Sequence, residues 1–287
     1  MKKFKIKSYC KINLTLKVLK KLNTGYHKIN SLITFCSLHD EIVISKINDT
    51  KDKINFVGQF KKGIRKNLNT ITKTLFLLRS KKIIKNNYFK ITIKKNIPHG
   101  SGLGGGSVNA ASLLTFLNSK MRLNLKKKKI YQLAREVGFD TPIGLSRKNT
   151  FLFGTNNKIL RINNKFNLNI LIVYPNLNCS TKKIYLKNKR FSKYISSPNF
   201  NTIGKKKLIN FLKKENNDLE EIAVKIYPKI KKVINFINLQ KGCHFSRITG
   251  SGSAIIGIFS DINSAIYAKK LIKLKFPKYW SNVSKTI

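Results

Sequence analysis

The chain has 287 residues, 41% of them hydrophobic, which suffices for one large domain or two moderate ones. No apolar run approaches the roughly 18 to 20 residues that cross a bilayer, and no signal-peptide core is present, so the sequence predicts a cytoplasmic protein without a membrane partner. The formal net charge is +48, and the four cysteines form no Cys-x-x-Cys pair, which argues against a disulfide framework and a zinc site.

In chain order, apolar periodicity predicts strands in the first ninety residues and alternating helices and strands later. The earlier elements are strands at 10–18, 31–36, 41–47 and 88–94, a turn at 24–26 and a helix at 67–79. After a glycine loop at 100–106, helices are predicted at 107–118, 126–137, 205–214, 220–239 and 261–274, and strands at 151–154, 168–174, 245–249 and 254–259. Ser107 and Asp261 are predicted helix caps, and residues 175–201 are predicted to be irregular. This order favours an α+β fold with a domain boundary near residue 160.

The segment from Ile97 to Ala111 reads Ile-Pro-His-Gly-Ser-Gly-Leu-Gly-Gly-Gly-Ser-Val-Asn-Ala-Ala. Its glycines let the backbone approach a ligand, and the helix that follows offers N–H groups and a partial positive charge to an anion. This arrangement favours a phosphate site over a turn without a ligand. No Gly-Lys-Ser/Thr closes the loop, so it is not a Walker A loop. The match to Gly-x-Gly-x-x-Gly lacks the acidic residue about twenty positions on that a dinucleotide site requires.

Five further segments carry candidate functional residues. They are Lys11-Ile-Asn13-Leu, Gly25-Tyr26-His27, Val137-Gly-Phe-Asp140-Thr-Pro142, Ser180-Thr181-Lys-Lys-Ile-Tyr185 and Arg247-Ile-Thr-Gly-Ser-Gly-Ser253. Because only 11 residues are acidic, each acidic position is informative, and Asp140 lies directly after a predicted helix. Its position alone favours a carboxylate that caps a turn. The four histidines lack metal-ligand spacing, so no protein metal site is predicted.

The glycine loop and these segments together resemble the GHMP kinases over nearly the whole chain. Among those kinases the chain is most similar to the branch that phosphorylates a cytidine diphosphate-linked methylerythritol. It departs from the family pattern at Ser101 and Val108 in the loop. It also departs at Cys10, before Lys11, and at Phe139 and Thr141, on either side of position 140. The two departures in the loop remove no backbone donor.

The resemblance implies an α+β GHMP kinase fold with two domains. Residues 1–160 would form an N-terminal domain like domain 2 of ribosomal protein S5, which binds ATP and carries the catalytic groups. Residues 161–287 would form a ferredoxin-like C-terminal domain that contributes to the substrate site.

The resemblance also implies a role for each candidate residue. The loop would bind ATP through Pro98, His99, Gly100, Ser101, Gly102, Leu103, Gly104, Gly105, Gly106, Ser107 and Val108. Lys11 and Asp140 would form the catalytic pair, in which the carboxylate orients the acceptor hydroxyl and takes its proton. General base catalysis of this kind is typically worth about 10²- to 10⁴-fold. The residues implied to bind substrate are Asn13, Tyr26, His27, Thr181 and Tyr185, with the two tyrosines on the two faces of the cytosine ring.

The implied reaction transfers the γ-phosphoryl group of ATP, with Mg²⁺, to the 2-hydroxyl of that substrate in the non-mevalonate route to isoprenoid precursors. A GHMP kinase of the homoserine or mevalonate type would share the glycine loop but would not need Gly-Tyr-His. A basic nucleic-acid-binding protein is a further alternative, but the lysines are scattered along the chain. We therefore interpret the charge as compositional drift, expect no specific nucleic-acid partner, and hold an inactive descendant to be disfavoured by the intact motifs.

Overall fold

A computed structural model describes residues 2–23, 25–153, 158–193 and 198–287. Thr24 of the predicted turn and Gly154 of a predicted strand lie outside the described residues. The chain divides into two compact units, each assembled from several segments. The first unit comprises Met1–Lys11, Leu38–His99 and Gly104–Arg147, and the second comprises Ile12–Ser37, Gly100–Leu103 and Lys148–Ile287.

Strands and helices are named here in chain order. The strands are β1 (Phe4–Asn13), β2 (Lys17–Lys21), β3 (His27–Ile47), β4 (Lys53–Val57), β5 (Tyr88–Lys94), β6 (Asn149–Phe153), β7 (Lys158–Ile162), β8 (Asn169–Tyr174), β9 (Cys243–Ile248), β10 (Ile255–Phe259) and β11 (Trp280–Lys285). The helices are α1 (Thr70–Ser80), α2 (Gly105–Lys120), α3 (Lys127–Val137), α4 (Thr181–Leu186), α5 (Lys205–Lys214), α6 (Glu220–Ile226), α7 (Lys229–Asn238) and α8 (Ile262–Lys275), and Thr141–Leu145 forms a 3₁₀ turn.

The first unit packs helices α1, α2 and α3 against a sheet. Residues 41–47 of β3 pair antiparallel with β5, and β4 pairs parallel with the other edge of β5. Alternate residues of these strands and one face of each helix are buried together, as amphipathic periods of two and 3.6 residues require. This core contains Ile42, Ile44, Leu75, Leu78, Ile91, Ile93, Leu114, Leu117, Leu133 and Ala134.

The second unit contains an antiparallel sheet with the order β11-β8-β10-β9. Its strand β8 is buried along its whole length, as befits a central strand. The first half of β3 pairs with β2 on one side and with β6 on the other, and β7 extends β6. The core of this unit includes Leu171, Val173, Ala223, Val233, Ile237, Ile255, Ala268 and Ile272.

Several predicted elements are confirmed. Helix α3 ends at Gly138, α8 begins at Asp261, whose side chain accepts from the amide of Ser264, and the predicted helix at 220–239 is broken at Pro228. Other predictions are wrong in their limits. The predicted strand at 10–18 is interrupted after Asn13, and the two predicted strands between residues 31 and 47 are one continuous strand. Residues 175–201 contain helix α4, which the sequence analysis did not predict.

Candidate active site

The catalytic pair implied by the sequence lies within the first unit. Lys11, on β1, is buried, and its Nζ donates to Oδ2 of Asp140 at 3.0 Å. Asp140 lies between the glycine that ends α3 and the 3₁₀ turn, where Pro142 restricts the backbone. The side chain of the aspartate is 46% exposed whereas that of the lysine is 5% exposed. A fixed cation therefore holds a carboxylate that still faces solvent, as a base that must reach a bound alcohol requires.

The second half of the glycine loop begins helix α2 directly beside this pair. Gly104 is the N-cap residue, with φ of +68°, and a Cβ there would lie 2.8 Å from Cε of Lys11. The amides of the first helical turn point out of its N-terminal end, where the helix dipole favours an anion. That turn contains no acidic side chain to occupy the position. The helix start is therefore suited to phosphate.

The predicted capping role of Ser107 is wrong, because α2 starts two residues earlier and places Ser107 in the third helical position. Thr70, at the start of α1, donates its hydroxyl to the carbonyl of Gly106 at 2.7 Å and so fixes the first turn of α2. The sequence analysis did not predict this start, because a left-handed glycine replaces the usual side-chain cap. The hydroxyl of Ser107 lies in the turn whose amides would face a phosphate.

Gly104→Ala is expected to lower the free energy of unfolding by about 1–2 kcal/mol, because alanine is strained at positive φ and its methyl group would collide with Lys11. Gly106→Ala is the matched comparison. Gly106 has ordinary helical backbone, and an added Cβ would lie 3.5 Å from Oγ1 of Thr70, its nearest neighbour. The free energy of unfolding of that variant is therefore expected to rise by up to about 1 kcal/mol. Urea denaturation of both variants checks the difference, and equal midpoints would contradict it.

A buried carboxylate that the sequence analysis missed supports the segment before the loop. Oδ1 of Asp40 accepts from the amides of Asn96 and Ile97 at 2.8 and 2.9 Å. Its Oδ2 accepts from Nδ2 of Asn109 in α2 at 2.9 Å and forms an ion pair with Lys95. Asp40 and Lys95 are both almost fully buried. One carboxylate thus joins the end of β5, the start of the loop and helix α2.

The first half of the loop, Gly100–Leu103, belongs to the second unit. The carbonyl of Ser101 accepts from the amide of Ala254 at 3.0 Å. Gly102 has φ of +83° and packs so tightly that a Cβ would overlap the carbonyl oxygen of Thr249. The turn that contains Thr249 and Gly250 therefore packs directly on this half of the loop, which requires glycine on the loop side.

Most side chains of the loop face the protein. Pro98, Ser101, Leu103 and Val108 are buried, and Nε2 of the exposed His99 lies 2.9 Å from the carbonyl oxygen of Lys62. A ligand at the loop would therefore meet mainly backbone groups. The departures from the family pattern at positions 101 and 108 therefore fall on buried side chains.

Arg247 has structural partners in the second unit. Its guanidinium donates to the carbonyls of Leu14 at 3.2 Å and Leu212 at 2.7 Å. Burial lowers the pKa of Arg247 to about 10, while the nearby charges of Glu220 and Glu215 raise it in part. The buried arginine thus fixes the end of β9, just before the Thr-Gly-Ser-Gly turn.

The residues implied to bind substrate also lie in the second unit. Asn13 is buried. Its backbone N–H donates to Oγ1 of Thr249 at 2.9 Å, and its side-chain Nδ2 donates to Oγ of Ser31 at 2.8 Å. The rings of His27 and Tyr185 are 4.9 Å apart. Burial and the charge of Lys21 lower the pKa of His27, which favours a neutral ring.

Two of the remaining candidates are exposed. Tyr26 is 51% exposed. The hydroxyl of Thr181, in the first turn of α4, lies 2.8 Å from that of Ser251. In the part of the chain that the structure describes, no three His, Cys, Asp or Glu side chains cluster as a protein metal site would require.

A surface cavity of about 500 Å³ lies at the start of α1 in the first unit. It is lined by Asn67, Leu68, Asn69, Thr70, Thr72, Lys73 and Phe76. Leu68 and Phe76 expose apolar surface to it. Since Thr70 bonds the first turn of α2, a group of nucleotide size at the helix start can extend into this cavity.

Comparison with known proteins agrees with this arrangement. Residues 69–147 match the family described as GHMP kinases N terminal domain, and residues 200–270 match GHMP kinases C terminal. A 4-diphosphocytidyl-2-C-methyl-D-erythritol kinase from Pelagibacter ubique (strain HTCC1062) is 42% identical over the full length of both chains. The chain belongs to the GHMP kinases. A 4-diphosphocytidyl-2-C-methyl-D-erythritol kinase from Wolbachia pipientis wMel is 33% identical over 98% of this chain and 97% of its own.

Solved structures of GHMP kinases share the fold. A 4-(cytidine 5'-diphospho)-2C-methyl-D-erythritol kinase superposes with a TM-score of 0.76 at 22% identity, covering 98% of this chain and 99% of its own. A homoserine kinase from Cytophaga hutchinsonii superposes with a TM-score of 0.71 at 15% identity, covering 100% of this chain and 95% of its own. The predicted GHMP kinase fold is therefore confirmed, and the chain is an ATP-dependent small-molecule kinase. Across the described residues, no helix is long and apolar enough to cross a membrane.

Proposed function

We propose that this GHMP kinase transfers the γ-phosphoryl group of ATP to the 2-hydroxyl of 4-diphosphocytidyl-2-C-methyl-D-erythritol, a step of the non-mevalonate route to isoprenoid precursors. The observation that carries the chemistry is the contact of Lys11 with the half-exposed Asp140 beside the start of α2. The substrate is inferred from the names of full-length relatives and from the Gly25-Tyr26-His27 segment. We further propose that it acts in the cytoplasm without a specific nucleic-acid or membrane partner.

In this mechanism the phosphates of ATP bind the amides at the start of α2, and the adenine ring occupies the cavity at the start of α1. Asp140 accepts the proton of the 2-hydroxyl as its oxygen attacks the γ-phosphorus, and the bond between that phosphorus and the bridging oxygen breaks to release ADP. Lys11 orients the carboxylate and offsets negative charge on the transferring group. The protein thus contributes mainly position and electrostatic stabilisation.

Mg²⁺ is proposed as the accompanying cation. The oxygen donors that suit it here are the carboxylate of Asp140 and the hydroxyl of Ser107, which supplement the ATP phosphates. Such an ion, when bound, would neutralise phosphate charge.

On the substrate side, Asn13 is proposed to bind the erythritol part, and Thr181 to lie near it. His27 and Tyr185 are proposed to hold the cytosine ring, with Tyr26 covering it from solvent. Stacking of a base on an aromatic ring contributes about 1–3 kcal/mol in single-strand binders. A neutral His27 offers one donor and one acceptor nitrogen, which suits the polar edge of cytosine.

An ATP-consumption assay with Mg²⁺ tests the assignment by comparing the cytidyl substrate, homoserine and mevalonate. We expect turnover of the cytidyl substrate alone. Turnover of another alcohol in its place would retain the family and reject the proposed substrate.

Omission of Mg²⁺ with added EDTA is expected to abolish activity, and full activity under those conditions would reject the metal requirement.

A further inference from the structure

One short segment of this basic chain is rich in acidic residues. Four of the eleven lie between positions 215 and 221, where Asn217-Asp218-Leu219-Glu220 leads into helix α6. Leu219 is fully buried in the core of the second unit. The three polar side chains around it bond segments that are far away in sequence, and no part of the proposed reaction uses them.

Asp218 joins two of these segments through a single oxygen. Its Oδ2 accepts from the amide of Val18 in β2 at 2.8 Å and from the hydroxyl of Ser192 at 2.7 Å. The amide of Ser192 donates to the carbonyl of Val18 at 2.9 Å, and the amide of Asp218 donates to the carbonyl of Leu16 at the same distance. Nζ of Lys17 lies 3.7 Å from the other carboxylate oxygen. The carboxylate is thus the common acceptor for β2 and the segment after α4.

Each of these two segments leads to one of the paired rings. Strand β2 continues to Lys21, which lies opposite His27 in the register with β3. The segment that ends at Ser192 begins in α4, which carries Tyr185. The rings of His27 and Tyr185 are 4.9 Å apart, so β3, the pairing partner of β2, contacts α4 there. Asp218 therefore joins β2 to the segment after α4 at a second point, away from the two rings.

The neighbouring side chains hold the glycine turn after β9. Nδ2 of Asn217 donates to the carbonyls of Ile248 at 3.1 Å and Gly250 at 2.8 Å. Oε2 of Glu220 accepts from the amide of Ile248 at 2.8 Å. This turn carries Ser251, whose hydroxyl lies 2.8 Å from that of Thr181. Within the second unit, the segment before α6 thus bonds β2, the segment after α4 and the turn after β9. These stretches lead to or contact the candidate substrate residues His27, Thr181 and Tyr185.

We propose that Asp218 is a positioning residue for the cytidine end of the substrate, holding β2 and the segment after α4 so that His27 and Tyr185 form one binding surface. This inference rests on the proposed function. It assigns to Asp218 an effect on binding of the cytidyl substrate and none on binding of ATP or on proton transfer.

The test compares steady-state constants of Asp218→Ala, Asp218→Asn and Ser192→Ala with those of the wild-type enzyme. Asp218→Ala is expected to raise KM for the cytidyl substrate by about tenfold, with KM for ATP and kcat within about twofold of wild type. Asp218→Asn retains an oxygen acceptor at the same place and is expected to restore most of the affinity. Ser192→Ala removes one donor from a partly exposed position, and we expect a rise in KM of about two- to fivefold.

Glu221→Ala is the matched control, because Glu221 is an exposed neighbour whose carboxylate pairs with Lys225 at the surface. It is expected to keep the wild-type constants. If Asp218→Ala does not fold, the KM of Ser192→Ala for the cytidyl substrate tests the positioning role instead. An unchanged KM for the cytidyl substrate in the folded variants, or equal changes for both substrates, would overturn the positioning role alone. A wild-type enzyme that does not use the cytidyl substrate would overturn the proposed function, and the positioning role with it.

Discussion

Asp140→Asn is expected to lower kcat for phosphoryl transfer by about 10²- to 10⁴-fold, because the amide cannot take a proton from the acceptor hydroxyl. The substitution preserves the shape of the side chain and its contact with Lys11 through the remaining oxygen. KM for ATP is therefore expected to stay within a few-fold of the wild-type value. Steady-state kinetics with each substrate varied in turn measure both quantities.

The matched control for that prediction is Glu136→Gln in helix α3. The Glu136 side chain is also 46% exposed and its carboxylate also contacts a lysine, Lys81, at 3.1 Å. It removes the same charge at a comparable exposure but lies outside the proposed site, so kcat should be unchanged. A similar loss in both variants would mean that net charge, rather than the position of Asp140, controls the rate.

Asp40→Ala is expected to lower the free energy of unfolding by about 3–5 kcal/mol, since it leaves the buried Lys95 without its counter-charge. The amides of Asn96 and Ile97 lose their acceptor at the same time. Because these residues lead into the glycine loop, KM for ATP is expected to rise as well. Urea denaturation and ATP kinetics of the variant measure the two effects.

The adjacent residue provides the control for this second prediction. Glu41 pairs with Lys94 at 3.2 Å, but both side chains are about half-exposed, so Glu41→Gln is expected to cost less than about 1 kcal/mol. The double variant Asp40→Leu/Lys95→Met removes both buried charges and should recover much of the stability lost in Asp40→Ala. A loss in Asp40→Ala no larger than that in Glu41→Gln would show that the buried pair does not hold this region together.

The sequence predicted those parts of the molecule that local patterns determine. Helix α3 combines apolar residues at helical spacing with a terminal glycine, and α8 has an aspartate at its N-cap, so both could be placed from sequence. The glycine loop could also be placed because five glycines within seven residues have few structural explanations. The contact of Lys11 with Asp140, which are 129 residues apart, was implied by family resemblance alone.

The remaining features depend on contacts between distant segments. Strands β4 and β11 are short and pair with strands that are distant in sequence, so their own sequences predict little. The ring of His27 lies against that of Tyr185, a contact between residues far apart in sequence. Asp40 lies among alternating apolar residues, and only the scarcity of acidic residues marked it as unusual.

The interleaved segments of the second unit have a consequence for biosynthesis. The carbonyl of Phe35 accepts from the amide of Ile287, so residues early in the chain pair with residues about 250 positions later. At a translation rate of about 5–20 residues per second, that separation corresponds to about ten to fifty seconds on the ribosome. During this interval, the backbone of β3 at Phe35 and Cys36 lacks its C-terminal partner and exposes hydrogen-bonding groups that other nascent chains can occupy. The second unit can therefore complete its pairing only after residues 280–287 have left the exit tunnel.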